Sequence, residues 1–441
     1  MLNHTCSSLV FLASLTGPAG SLARAAGPLD RLDAIYPSLD ALYIDLHQTP
    51  ELSLREEKTA AKMAAKLREL GLEVTEKVGG WGVVGVLKNG PGPTVLLRAD
   101  MDGLPVKEQT DLPYASTATG PNAAGEMFPT MHACGHDVHM TCWVGTAALL
   151  VASKSEWKGT VLFVGQPAEE VVAGARAMVA DGLYTRFPKP DYCIGVHVTN
   201  TMPAGQIGVV SGPAYAASSS VDVTFYGRGG HGAMPHRAVD PIVIAARAVS
   251  TLQTLVSRET NPLDSAVVTV GTFHAGTKRN IIPDEAKIEL TVRSYKPEVH
   301  QALLAGIARI AKAEAAAAGA PREPAVLVRE NEGTEATVND PALSARLSAA
   351  LKRGLGDAAV QPTEPMMGSE DFGVFGKVAG APGVQLRIGV IEPGVFARAK
   401  EAGRLLLLPG MHSPQFAPDK ERTIRAATAA MTLSAMEVLG K

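Results

Sequence analysis

The chain has 441 residues, 46% hydrophobic and 19% charged, with a formal net charge of −3. That is an ordinary globular composition, long enough for about two domains, and its near-neutral charge gives no reason to expect a nucleic-acid partner. No apolar run reaches the roughly 20 residues that span a bilayer, and the four cysteines make no disulfide framework.

The first element is a short apolar run, Leu9 to Leu15, followed by Ala23-Arg24-Ala25 before Ala26. This resembles a secretory signal peptide, although the first eight residues contain no Lys or Arg. Residues 1–25 are read as a signal peptide or a disordered extension, and the protein as periplasmic or secreted in the first case and cytoplasmic in the second. Helical periodicity then runs from Leu29 to about Thr49 and from Leu54 to Leu70, closing at Gly71. Gly82–Leu87, Thr94–Ala99, Thr160–Gly165 and Tyr192–His197 are near-continuous apolar runs, which predicts strands buried on both faces of an α/β sheet.

The pattern changes after Gly212-Pro213. A strand (Ser218–Tyr226), a helix (Pro241–Arg258), two strands (Ala266–His274, Ala286–Tyr295), a helix (Pro297–Ala318) and a strand (Pro324–Arg329) form the βαββαβ order of a ferredoxin-like module. The expected architecture is a discontinuous α/β catalytic domain, residues 26–212 and 332–441, with a central, mainly parallel sheet and an inserted module at 213–331.

Chemistry concentrates in islands at the ends of the predicted strands, where open α/β sheets bind ligands. MHACGH (Met131–His136) places Cys134 two positions from His136, thiolate and imidazole donors that suit a borderline metal such as Zn²⁺. A structural Cys with a capping His, or a Cys–His nucleophilic pair, is the alternative. His132 and His139 are read as orienting groups, on or near a helix expected to start close to His139. GQPAEE ends in Glu169-Glu170, consecutive carboxylates expected to point apart, one to metal and one to substrate as general base. A solvated acidic pair at a helix start is the plain alternative. Asp100 and Asp102 close the Thr94 strand, as ligands, imidazole orienters or turn formers. His197 ends its apolar run and His412 lies in a Gly-Met-His-Ser-Pro loop. In the inserted module, GRGGHGAMPH sets His231 among glycines, where an imidazole could reach over another site and stabilise an oxyanion. Cys142 and Cys193, in apolar surroundings, read as inert core thiols.

RADMDGLP, HACGHD, GQPAEE, GVHV, GGHGAMPH, RNIIPD, GSEDFG and MHSPQF, in this order, resemble the M20 metallopeptidases from about Leu29 to the C-terminus. The resemblance is to the amidohydrolase branch, with its hippurate hydrolases, N-acyl-amino-acid deacylases and auxin-conjugate hydrolases. It implies two divalent metals, zinc or manganese with cobalt or nickel as options, held by Cys134, His136, Glu170, His197 and His412, with Cys134 bridging. It further implies Glu169 as general base, Asp102 as orienting group, and Asn280 and Arg293 as substrate-binding residues. The inserted module would be a lid and dimerisation domain carrying His231 to the neighbouring subunit's substrate, in a homodimer or higher oligomer. The substrate would be a small N-acyl amino acid, with no membrane partner. A dipeptidase or carboxypeptidase is the nearest alternative; a metal-independent Cys–His hydrolase and a non-catalytic binding protein are the readings from other classes.

Overall fold

The computed structural model describes residues 27–441; the signal-peptide reading of residues 1–25 lies outside them. After helices α1 (Leu32–Gln48) and α2 (Glu57–Glu69) come strands β1 (Glu73–Val78), β2 (Gly82–Asn89) and β3 (Thr94–Asp100). Helix α3 (His136–Ala152), β4 (Gly159–Gln166), β5 (Tyr192–Pro203) and β6 (Ile207–Val209) complete the first half. β2 to β5 are buried on both faces over most of their length, as their unbroken apolar character requires. α3 is buried nearly all round, with Trp143 donating its indole N–H to the Leu97 carbonyl at 3.0 Å.

The inserted module follows as β7 (Ala217–Tyr226), α4 (Pro241–Thr254), β8 (Ala266–Ala275), β9 (Glu285–Ser294), α5 (Pro297–Ala317) and β10 (Ala325–Thr334). Its 4-stranded antiparallel sheet has the order β8-β9-β7-β10, the ferredoxin-like arrangement. β9 alternates strictly, burying Ala286, Ile288, Leu290 and Val292 against α4 and α5 in a core separate from that of the large sheet. Asp240 caps α4 by accepting the Ile242 N–H at 2.9 Å, with Pro241 in the first turn.

The chain then returns through α6 (Pro341–Leu355), β11 (Val360–Pro362), β12 (Gly383–Ile391) and α7 (Lys420–Val438). β12 inserts beside β5, so the 8-stranded sheet reads β1-β2-β4-β3-β5-β12-β6-β11 and is built from both halves of the chain. The α/β class and the discontinuous catalytic domain with its inserted module are therefore as expected. β4-β3-β5-β12 is parallel, β2 and β6 pair antiparallel with its two edges, and β1 pairs antiparallel with β2, giving a mixed sheet with a parallel centre.

Several boundaries differ from the sequence reading. α2 starts at Glu57, because Leu54 adopts a left-handed backbone (φ 68°). α3 starts at His136 instead of near His139. β5 runs six residues past His197, so this histidine sits in mid-strand and does not end one. β10 continues beyond Arg329 to Thr334.

Candidate active site

The site lies where β3 ends, α3 begins and β5 passes between them. Gly135 stands between Cys134 and His136 with φ 81°, and a Cβ there would lie 2.6 Å from Val198 Cγ2. Glycine is required on both counts, and it lets a thiol and an imidazole project from adjoining positions. His136 Nδ1 lies 2.7 Å from the Asp102 carbonyl and His197 Nδ1 lies 2.8 Å from the Val198 carbonyl. A carbonyl only accepts, so each ring carries its proton on Nδ1 and offers the Nε2 lone pair inward. His197 Nε2 is 3.7 Å from Cys134 Sγ.

The Glu169-Glu170 pair leaves β4 through an irregular loop with left-handed Ala168 (φ 52°) and Val172 (φ 47°). That geometry overturns the expectation that consecutive carboxylates point apart. Glu169 Oε2 is 3.7 Å and Glu170 Oε1 3.8 Å from His136 Nε2. Their further neighbours do differ: Glu170 groups with Cys134 and His412, and Glu169 with Glu370 and Asp371. His412 arrives on a strained loop (φ 66°), donates its backbone N–H to the Ala133 carbonyl at 2.8 Å, and brings Nε2 within 3.4 Å of Glu170 Oε2.

Two sets of donor atoms, Cys134–His136–His197 and Cys134–Glu170–His412, each lie within 4.8 Å of one another and share the thiol. His136 Nε2 and Glu170 Oε1 are buried without a hydrogen-bond partner. Burial, reinforced by the charges of Glu170 and Glu169, pushes the Cys134 thiol well above its ordinary pKa. Converging thiol, imidazole and carboxylate donors of this mix fit divalent metal of borderline softness. A surrounding layer holds these donors. Asp102 Oδ2 accepts from Ser53 Oγ at 2.7 Å and from the Glu170 N–H at 3.0 Å. Asp100 accepts from His139 Nδ1 at 2.6 Å, and His139 Nε2 accepts the Val198 N–H at 3.0 Å. Both nitrogens of His139 are thus committed to Asp100 and the Val198 N–H, and neither bonds a proposed ligand. Nor does His132 bond one: neither ring nitrogen has a partner, and burial pushes its pKa down to about 4.

Residues 96–400 match the model of peptidase family M20/M25/M40. N-acetylcysteine deacetylase of Bacillus subtilis is 38% identical over 340 residues, 75% of this chain and 83% of the relative. Hippurate hydrolase of Campylobacter jejuni is 39% identical over 335 residues, covering 75% and 82% respectively. A crystal structure from Bacillus subtilis, described as a dinuclear metal binding peptidase from the M20 family, aligns with TM-score 0.73 and 31% identity over 92% of this chain and 100% of that one. The chain belongs to the M20/M25/M40 peptidase family. As a family member it is a metal-dependent hydrolase of the amidohydrolase and peptidase type, as the motifs implied.

In this M20 enzyme the sequence reading missed a buried ionic layer. Arg98, wholly buried, bonds Asp100 and reaches Glu370 Oε1 at 2.8 Å and Gln166 Oε1 at 2.8 Å. Gln166 Nε2 in turn donates to Asp371 Oδ1 at 2.6 Å. Burial, Glu370 and Glu170 hold the Glu169 carboxyl well above the usual carboxylate range, and burial raises Asp371 to about 7 against the pull of Arg98. The acid pair in GSEDFG carried the available signal, since it repeats the consecutive carboxylates of GQPAEE. Glu56 was also missed. Its Oε1 accepts the N–H of Leu54 at 2.9 Å and of Ala168 at 2.8 Å, both left-handed residues, and so ties the loop before α2 to the loop bearing Glu169.

The inserted module contributes differently. His231 and Asn280 are exposed at paired turns, with the Gly232 N–H donating to the Asn280 carbonyl at 2.9 Å. None of their hydrogen bonds among the described residues reaches the cluster. Arg293 lies at the seam, donating to Ser369 Oγ at 2.8 Å and to the Met367 carbonyl at 3.3 Å, beside Glu370. Cys142 and Cys193 are buried free thiols outside every donor group, as expected of core cysteines. No described helix is long and apolar enough to cross a membrane.

Proposed function

We propose that this enzyme hydrolyses the amide bond of N-acyl amino acids, with aromatic acyl groups preferred, to a carboxylic acid and a free amino acid. The observation that carries the reading is the convergence of Cys134, His136, Glu170, His197 and His412 from separate stretches of chain, with Glu169 beside them. These five would hold two divalent cations, Cys134 shared between them, and Asp102 would keep His136 and Glu170 in register. Bound there, the cations supply Lewis acidity that polarises the amide carbonyl and eases ionisation of a water in the site towards a pKa of about 7. Glu169 takes the proton from the attacking water and returns it to the leaving amine nitrogen. Burial and neighbouring acids make its protonated form accessible, as a proton shuttle requires.

Arg293, with Asn280, would grip the substrate's polar end, an Arg fork being suited to a free carboxylate. The inserted module would serve as lid and dimerisation surface, presenting His231 to the neighbouring subunit's substrate. The relatives support this substrate class by their names, a deacetylase and a hippurate hydrolase. Comparative rates on benzoylglycine, an aroyl-phenylalanine and a plain dipeptide test it, with chelation and metal replacement as the second arm. Acylated amino acids should lead, and activity should vanish on chelation and return with Mn²⁺, Co²⁺ or Zn²⁺. A faster dipeptide overturns the substrate assignment; activity that survives chelation and dies with thiol alkylation overturns the metal chemistry in favour of a Cys–His nucleophile.

A further inference from the structure

The wall of the site beyond His197 contains two buried polar groups with no explanation in the machinery above. Tyr215, in the segment leading into β7, is buried, and its hydroxyl has no hydrogen-bond partner. Its ring centroid lies 5.9 Å from that of His197. Arg387 on β12 is level with His197 on β5 in the parallel register, so the two side chains leave the sheet on the same face. The Arg387 guanidinium stacks on the Tyr215 ring at 4.3 Å and donates to the Ala214 carbonyl at 2.9 Å. Among the described residues Arg387 pairs with no carboxylate, and its Nε is also without a partner. A buried hydroxyl left unsatisfied is destabilising unless something else meets it. The 5.9 Å approach of its ring to that of His197 sets Tyr215 beside the donor cluster.

The cluster itself presents acceptors. His136 Nε2, His197 Nε2 and Glu170 Oε1 are the atoms it turns inward. Beside the Lewis acidity the cations would supply, an amide undergoing hydrolysis there gains from a hydrogen-bond donor to the carbonyl oxygen as it becomes negative. We infer that Tyr215 is a catalytic residue of this enzyme: its hydroxyl donates a hydrogen bond to the carbonyl oxygen of the scissile amide, and Arg387 is the positioning residue that fixes the ring. The inference rests on the amidohydrolase reading and adds to it a donor supplied by the same subunit as the cluster, independent of His231. The bond strengthens as the oxygen becomes anionic, so it favours the transition state over the bound substrate.

Tyr215→Phe tests this cleanly, because it keeps the ring, the stack and the volume. With metal content matched, kcat on benzoylglycine should fall roughly 10²-fold with KM changed by less than about threefold. Calorimetry with a phosphinate analogue of the N-acyl amino acid, which mimics the tetrahedral oxyanion, should show affinity falling in step with kcat. The thermal midpoint of the metal-free variant should not fall, since the hydroxyl bonds nothing in the unliganded protein. Unchanged kcat and phosphinate affinity overturn the proposal, and so does a loss of kcat accompanied by loss of metal or of thermal stability. Arg387→Gln should slow the wild type but slow Tyr215→Phe no further; equal losses in both backgrounds refute the positioning role. A metal-loaded wild type that cleaves dipeptides yet still loses kcat on Tyr215→Phe refutes the substrate class and leaves the donor standing. A wild type that neither cleaves an amide nor binds the phosphinate refutes both.

Discussion

Asp102 and Glu170 are joined by a single bond, the Glu170 backbone N–H donating to Asp102 Oδ2 at 3.0 Å, and the same oxygen accepts from Ser53 at 2.7 Å. The Asp102 backbone carbonyl meanwhile fixes the tautomer of His136. One residue thus orients two of the proposed ligands, one through its side chain and one through its main chain. Asp102→Asn keeps the carbonyl but presents an amide to the Ser53 and Glu170 donors. Metal affinity should fall about 10–100-fold, the usual cost of losing an orienting group, as read by competition with a chromophoric chelator. Unchanged affinity would confine Asp102 to a structural part.

The two glutamates should separate cleanly under substitution. Glu169→Gln removes the proton acceptor and should lower kcat by about 10²–10⁴ or more while both metals stay bound. Glu170→Gln should lose metal content first and activity as a consequence. Metal analysis of the purified variants beside their kcat checks this, and the reverse pattern exchanges the two roles.

Much of this arrangement was legible in the residues, and the parts that were not have identifiable causes. The apolar runs of β3, β4 and β5 and the split pattern of β7 to β10 gave their elements away because burial on one face or two leaves a period in the chain. His412 was singled out because its Gly-Met-His-Ser-Pro setting reads as a loop, and loops carry sites; the fold brings it to Cys134 and Glu170. Arg98 and Glu370 were not assigned, since a buried ion pair leaves no periodicity and its partners are 272 residues apart. The direction of Glu169 and Glu170 was misread because strand alternation was applied to a loop, where Ala168 is left-handed. Glu56 carries no local signal in the sequence. Its hydrogen bond to Ala168 spans 112 residues and exists only once the sheet is formed.

Glu56 gives a prediction that separates acceptor from charge. Glu56→Ala leaves the Leu54 and Ala168 N–H groups, both on left-handed residues, without their acceptor. Stability should drop by about 1–3 kcal/mol, and kcat should drop with it as the Glu169 loop relaxes. Glu56→Gln retains an acceptor oxygen in the same place and should restore most of both. Urea unfolding and steady-state kinetics of the two variants decide it; a Gln variant as impaired as Ala would make the negative charge the essential property.

His47 sets a pH dependence away from the donor cluster. Its ring lies 2.7 Å from Asp137 Oδ2 and 3.0 Å from Glu108 Oε1, fully inside the protein. Burial disfavours the imidazolium, but hydrogen bonds and charge from Asp137 and Glu108 outweigh it and raise the pKa from 6.5 to about 9. A base whose folded pKa exceeds its unfolded value stabilises the fold fully below the unfolded pKa and loses that contribution as pH climbs through the folded one. The window is therefore pH 6.5 to about 9, and a shift of that size is worth at most about 3 kcal/mol. The partners do not reverse the sign, because Asp137 and Glu108 have lowered pKa values and stay ionised throughout this window. Other groups titrate between these limits, so the informative quantity is the difference between wild type and His47→Gln at matched metal content. The wild type should lead by most at pH 6 and the gap should narrow steadily towards pH 9.5, measured by urea denaturation. A gap that stays constant across this range would mean that the ring is neutral in the folded protein and contributes only by packing.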